Sequence, residues 1–120
     1  MPARGWVMTA ALLALLAVAA GAFAAHVLEG QGDPRAAAWV EKGSRYQMWH
    51  ALAMLAYVAM GQASRLPLTF WTIGAILFPG SLYALAFGAP MATAMLAPIG
   101  GTSFLVGWAA LAWLALRVRL

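Results

Sequence analysis

At 120 residues, 65% of them hydrophobic and 8% charged, the chain is too apolar for a water-soluble domain. Soluble domains are about 45–50% apolar and about 25% charged, and a body of this size cannot hide so much apolar surface from water. The net charge of +4 rests on seven scattered Lys and Arg, too sparse for a phosphate-tracking patch, which excludes nucleic acid as a partner; without cysteine there is no disulfide framework either.

A spanning helix needs about 20 apolar residues, so four of them consume most of the chain and leave one domain over residues 1–120. The first apolar run covers residues 6–28 with no charge inside it. Its opening also resembles a secretory signal, with Arg4, an apolar core and the small-x-small pattern Ala22-Phe23-Ala24. The run continues past that point to Leu28, so it reads as a retained helix. Within it Ala17, Gly21 and Ala25 recur at every fourth position, the spacing that lets membrane helices approach closely. They are expected to pack on a neighbour, in this chain or in a second copy.

Between Glu29 and Arg45 lies the one stretch of mixed charge. Asp33-Pro34 has the form of a helix start, Asp as N-cap and Pro in the first turn. Pro34 to Lys42 is expected to form a short interfacial helix at the membrane surface, with Trp39 at headgroup depth and Gly43-Ser44 bending the chain into the second span. That span is expected at 45–61, followed by a tight loop carrying Arg65. The third span, 66–87, contains Pro79-Gly80, a kink signal. An uncharged, proline-containing turn from Gly88 to Pro98 leads to the fourth span, 99–116. The expected fold class is therefore an all-α membrane protein, a four-transmembrane-helix bundle with a short interfacial helix between helices 1 and 2. Arg4, Arg65, Arg117 and Arg119 fall on one side, against Arg35, Lys42 and Arg45 offset by Glu29, Asp33 and Glu41 on the other. Loop charge of that sense places both termini in the cytoplasm.

Polar groups inside hydrocarbon are costly and need partners. With the second span starting at Arg45, His26 and His50 fall in the same membrane half. Glu29 shares the face of His26, and Tyr46 and Gln47 share the face of His50. Ser81 and Tyr83 come late on the third helix, Thr102 and Ser103 early on the fourth. The nine residues thus converge on one end of the bundle, as a hydrogen-bonded cap fixing register or as a pocket open to the non-cytoplasmic face. Two imidazoles on neighbouring helices could share a small metal ion, which makes His26 and His50 the candidate metal ligands. Haem would need wider separation. The seven methionines, Met54 on the face of His50 among them, are ordinary core filler as readily as copper ligands. No phosphate loop, HExxH or nucleophile elbow is present, so nothing argues for an enzyme, and the sequence requires no cofactor.

Four segments carry a family resemblance. Gly21-Ala22-Phe23-Ala24-Ala25-His26 resembles GAFGAH, and Arg45 to Leu52 resembles RYQMYHAL. Phe78-Pro79-Gly80-Ser81-Leu82-Tyr83 is similar to LFSGSLY, and Ala97-Pro98-Ile99-Gly100-Gly101 to TPIGG. Together they resemble the family of domain of unknown function 423, the YgdD-like small membrane proteins. The resemblance implies four membrane helices and a bacterial inner-membrane location. Its motif residues map to His26, Tyr46, Gln47, His50, Ser81 and Tyr83. Ala replaces a motif Gly at 24 or 25, Pro79 replaces a Ser and Ala97 a Thr, so hydroxyls of the family pattern are missing near Ser81 and Pro98.

Two functions fit. The first is a non-enzymatic accessory or assembly subunit whose partners are the bilayer and a larger membrane complex or a second copy. The second is a membrane module binding a small ligand, such as a quinone, a lipid headgroup or a divalent metal, through the polar cluster. They divide on whether that cluster is open or sealed by its own hydrogen bonds.

Overall fold

A computed structural model describes residues 1–118; Arg119, counted above in the charge balance, lies outside the described residues. Helix α1 spans Ala3–Phe23 and widens into a π-helical turn, Ala24–Leu28. Helix α2 spans Pro34–Ala59, α3 Leu66–Ala86 and α4 Leu96–Arg117, with a 3₁₀ turn, Met91–Met95, leading into α4.

Local chemistry sets the ends. Gly32 takes a left-handed φ of 72°, which lets the Asp33 N–H reach back to the Leu28 carbonyl at 3.4 Å and close the first helix. Asp33 Oδ1 then accepts from the Ala36 N–H at 3.0 Å and Pro34 occupies the first turn, the helix start expected from sequence. Gly88, at φ 95°, closes α3 in the same way, with the Ala89 N–H on the Ala84 carbonyl at 2.9 Å. Pro79 lies inside α3, which stays helical across it while the Ala75 carbonyl loses its i+4 donor.

One expectation is corrected. No separate interfacial helix precedes the second one: α2 runs unbroken for 26 residues, through Gly43-Ser44. Gly43 serves close approach rather than a bend, since a Cβ there would lie 2.8 Å from Tyr83 Cε1 and 3.3 Å from Pro79 Cα on α3. Ser44 donates to the Ala17 carbonyl of α1 at 2.6 Å. The stretch is helical because one face is covered: Ala36, Ala37 and Val40 pack on Ala24 and Leu28.

Each helix packs antiparallel against its sequence neighbours, so α2 lies between α1 and α3, and α3 between α2 and α4. Trp6, Ala10, Met54, Tyr57, Leu68, Trp71, Ala75 and Phe104 form the main core. Along α3 and α4 glycines set the separation: a Cβ on Gly74 would strike the Phe104 ring, one on Gly100 the backbone of Phe78, and one on Gly107 the Trp71 indole. On α1 the small-residue stripe faces α2 within the chain, with Ala17 buried and Gly21 against Ser44, whereas Ala25 is exposed. Leu12, Leu15, Val18, Ile76, Leu105 and Leu116 are each more than half exposed. Three segments, Ala3–Leu28, Leu66–Ala86 and Met91–Arg117, are long and apolar enough to cross a membrane. The chain is an all-helical membrane protein.

Candidate functional site

Side-chain hydrogen bonds fix the register from which the depth of each polar residue follows. Gln47 Nε2 donates to the Leu13 carbonyl at 2.7 Å, and Ser44 to Ala17, so positions on α2 descend as those on α1 ascend. Gly100 opposite Phe78, Gly74 opposite Phe104 and Gly107 opposite Trp71 align α4 with α3 in the same sense. On this register His50 stands level with about residue 11 of α1, near mid-height. His26 lies about 15 residues, or roughly 20 Å, further along.

The structure therefore does not bring His26 and His50 together, which corrects their pairing as metal ligands. The physical cause is the unbroken α2: counted from Pro34, His50 falls in the fifth turn instead of one turn beyond a helix start at Arg45. His26 is exposed in the π-helical turn, and Glu29 is exposed at its end. Among the described residues no three His, Cys, Asp or Glu side chains converge on a point. Met54 is fully buried in the core, accepting from Thr72 Oγ1 at 3.8 Å.

The other expected residues gather at mid-height in two groups on opposite sides of the α2–α3 pair. Towards α1, buried Gln47 accepts from Tyr83 Oη at 2.7 Å on Oε1 while donating to Leu13, so one amide ties three helices. Towards α4, His50 Nδ1 lies 2.7 Å from the Tyr46 carbonyl and Nε2 accepts from Trp108 Nε1 at 3.0 Å. Because a carbonyl only accepts, Nδ1 carries the proton and the ring is the neutral tautomer. Phe104 stacks on the imidazole at 3.6 Å, within 8° of parallel. Buried Ser103 donates to the Phe70 carbonyl at 2.6 Å, crossing from α4 to α3. Ser81 and Thr102 bond their own helices, on the Phe78 and Pro98 carbonyls, both at 2.8 Å.

Two clefts flank these groups. One, of about 630 Å³, opens between α2 and α4 and is lined by Tyr46, Trp49, His50, Phe78, Phe104 and Trp108 among others. The second, of about 580 Å³, lies between α1 and α3 with Gln47 and Tyr83 in its wall. Sequence reasoning missed Ser44 and Trp108. Ser44 lies three residues before Gln47 and so on its face, an available signal; nothing set Trp108 apart, since the buried indoles of Trp6 and Trp71 have no acceptor among the described residues.

Residues 20–101 match the family model described as Protein of unknown function (DUF423). The chain is 45% identical over 107 residues to a UPF0382 membrane protein of Haemophilus influenzae, covering 86% of each chain. It is 36% identical over 125 residues to the UPF0382 inner membrane protein YgdD of Escherichia coli K12, covering 99% of this chain and 95% of that one. A UPF0382 membrane protein of Staphylococcus aureus is 37% identical over 108 residues, covering 86% of this chain and 88% of the relative. No solved structure matches.

Proposed function

We propose, for a chain that belongs to the DUF423 family of membrane proteins of unknown function, a four-span accessory or assembly subunit of a larger inner-membrane complex, without catalysis of its own. One observation carries this reading. Gln47, Ser103 and Ser44 donate to carbonyls of neighbouring helices and His50 accepts from Trp108 of α4, bonds that tie the helices together rather than aim convergent groups at a substrate. An apolar exterior along α1 and α4 suits lipid and a partner's helices.

Crossing by α2 is supported by its neighbours. It lies antiparallel between α1 and α3, both apolar and long enough to span, and is level with them. Its buried polar side chains, Gln47 and His50, are then covered by protein, while Arg35, Glu41, Lys42 and Arg45 stay exposed. The inner-membrane location is supported by the name of the Escherichia coli relative. Arg4, Arg65 and Arg117 at one end support cytoplasmic termini.

The test is purification of the tagged full chain from native membranes in mild detergent, with the mass of the recovered particle measured. Recovery of a second membrane protein in fixed stoichiometry is expected; a chain that always emerges alone or only with copies of itself overturns the accessory reading. Reporter fusions at both ends should both report the cytoplasm, and opposite signals would rule out four spans.

A further inference from the structure

The cleft between α2 and α4 has the size and lining of a ligand site, and its walls define the ligand. Its volume of about 630 Å³ falls within the range of small-molecule pockets. The rings of Tyr46, Trp49, Phe78, Phe104 and Trp108 line it, with His50 between them. Tyr46 lies 4.9 Å from both Trp49 and Phe78, centroid to centroid, in tilted or edge-on contact. Such walls offer stacking and edge contacts to a flat conjugated ring, an attraction that a saturated acyl chain does not gain.

A second observation concerns hydrogen bonding. The Tyr46 hydroxyl makes no hydrogen bond among the described residues, in contrast to Gln47, His50, Ser81, Tyr83, Thr102 and Ser103 around it. On the register above it stands about one turn from the level of His50. Within the four-span placement, on which this inference rests, Tyr46 stands at the lipid-facing mouth of the cleft, 36% exposed itself. An occupant that carries an acceptor would pair with that hydroxyl. Trp49, Leu105 and Trp108 at the rim are 50%, 69% and 45% exposed, so the cleft opens sideways into lipid and its ligand arrives from the bilayer.

A flat ring, a carbonyl acceptor and solubility in lipid together describe one class of molecule. We propose that this cleft binds the ring of a prenylated quinone, one ring carbonyl accepting from Tyr46 Oη and the tail leaving past Leu105 into the membrane. His50 forms part of the floor but supplies no hydrogen bond, since both its nitrogens are engaged.

The experiment uses the full chain in phospholipid nanodiscs, titrated with a short-chain benzoquinone analogue, with retained probe read by absorbance. Saturable binding near one per chain is expected. Tyr46→Phe, which removes one oxygen from the cleft, should weaken it by roughly tenfold. Gly101→Leu should abolish it, because a Cβ there meets only Phe78 Cδ2 at 3.9 Å and the larger side chain fills the cleft. Gly80→Leu, on the opposite cleft with nothing within 4 Å of its Cβ, should bind as the parent does. Non-saturable uptake, equal affinity in Tyr46→Phe, or displacement of the probe by a long-chain fatty acid at matched concentration would each overturn the proposal. If Gly101→Leu fails to fold, Tyr46→Phe decides alone. The reporter fusions and the mass of the purified particle are read independently, so failure here is separable from failure of the four-span or accessory readings.

Discussion

Trp108 and His50 hold each other in one arrangement: the indole N–H needs an acceptor, and the neutral imidazole has one only while Nδ1 keeps its proton on the Tyr46 carbonyl. Hydrogen bonds between membrane helices average about 0.6 kcal/mol and reach about 1.7 kcal/mol. In a cycle of His50→Phe and Trp108→Phe, unfolding in mixed micelles should give a coupling energy of about 1 kcal/mol; additive effects would mean the contact contributes nothing. Gln47→Leu removes both bonds of the amide and strands the Tyr83 hydroxyl, so it should destabilise by about 1–2 kcal/mol. Tyr83→Phe breaks one of those bonds and should cost less. Gln47, His50 and Ser103 were all legible as residues, because a polar side chain in an apolar helix must find a partner. Their partners were not: three of the bonds go to backbone carbonyls at Leu13, Tyr46 and Phe70, which no side-chain pattern marks.

At the scale of elements, close approach is set by glycines whose missing side chains are filled by a neighbour. Gly100→Ala would drive a methyl group into the backbone of Phe78, and overpacking of that kind costs about 1–3 kcal/mol. Gly80→Ala meets nothing and should be neutral, or stabilising by up to about 1 kcal/mol through helix propensity. Thermal unfolding of the two variants in the same detergent checks the contrast, and equal melting points would refute it. Helix α2 shows how far an element can be read. Its start at Asp33-Pro34 follows from capping chemistry local to the sequence. Its continuity does not: Arg35, Glu41, Lys42 and Arg45 make the first half look like a surface segment, and tertiary contacts keep it in line with the rest, Ala24 and Leu28 on one side and Tyr83 over Gly43 on the other.

The whole molecule is an assembly in which the least apolar helix sits between more apolar ones. Charged residues at a span's centre cost about 2.5–3.5 kcal/mol each on insertion scales, and α2 carries four among its first twelve residues. Placed alone in a glycosylation-mapping host, the Pro34–Ala59 segment should insert in fewer than about half of the molecules, and the α1–α2 pair more completely. Equal insertion of both would show that α2 needs no partner. Ion pairing contributes little here: Glu41 and Arg45, 3.3 Å apart, are both more than half exposed, where a pair is worth about 0–1 kcal/mol.

Sequence alone determined that this is a helical membrane protein with apolar runs near 6–28, 66–87 and 99–116, because hydropathy and length act through composition and need no knowledge of neighbours. It also marked Gln47, His50, Ser81 and Ser103, which are buried, in one set with His26 and Glu29, which are exposed. Tertiary structure decided which of them meet. The register of α2 against α1, fixed by Ser44 on Ala17 and Gln47 on Leu13, carried His50 to mid-height and left His26 at the far end. Register is a property of two packed surfaces, where a shift of one helical turn moves a side chain by about 5.4 Å. Only complementary contacts such as Gly43 under Tyr83 select among those shifts.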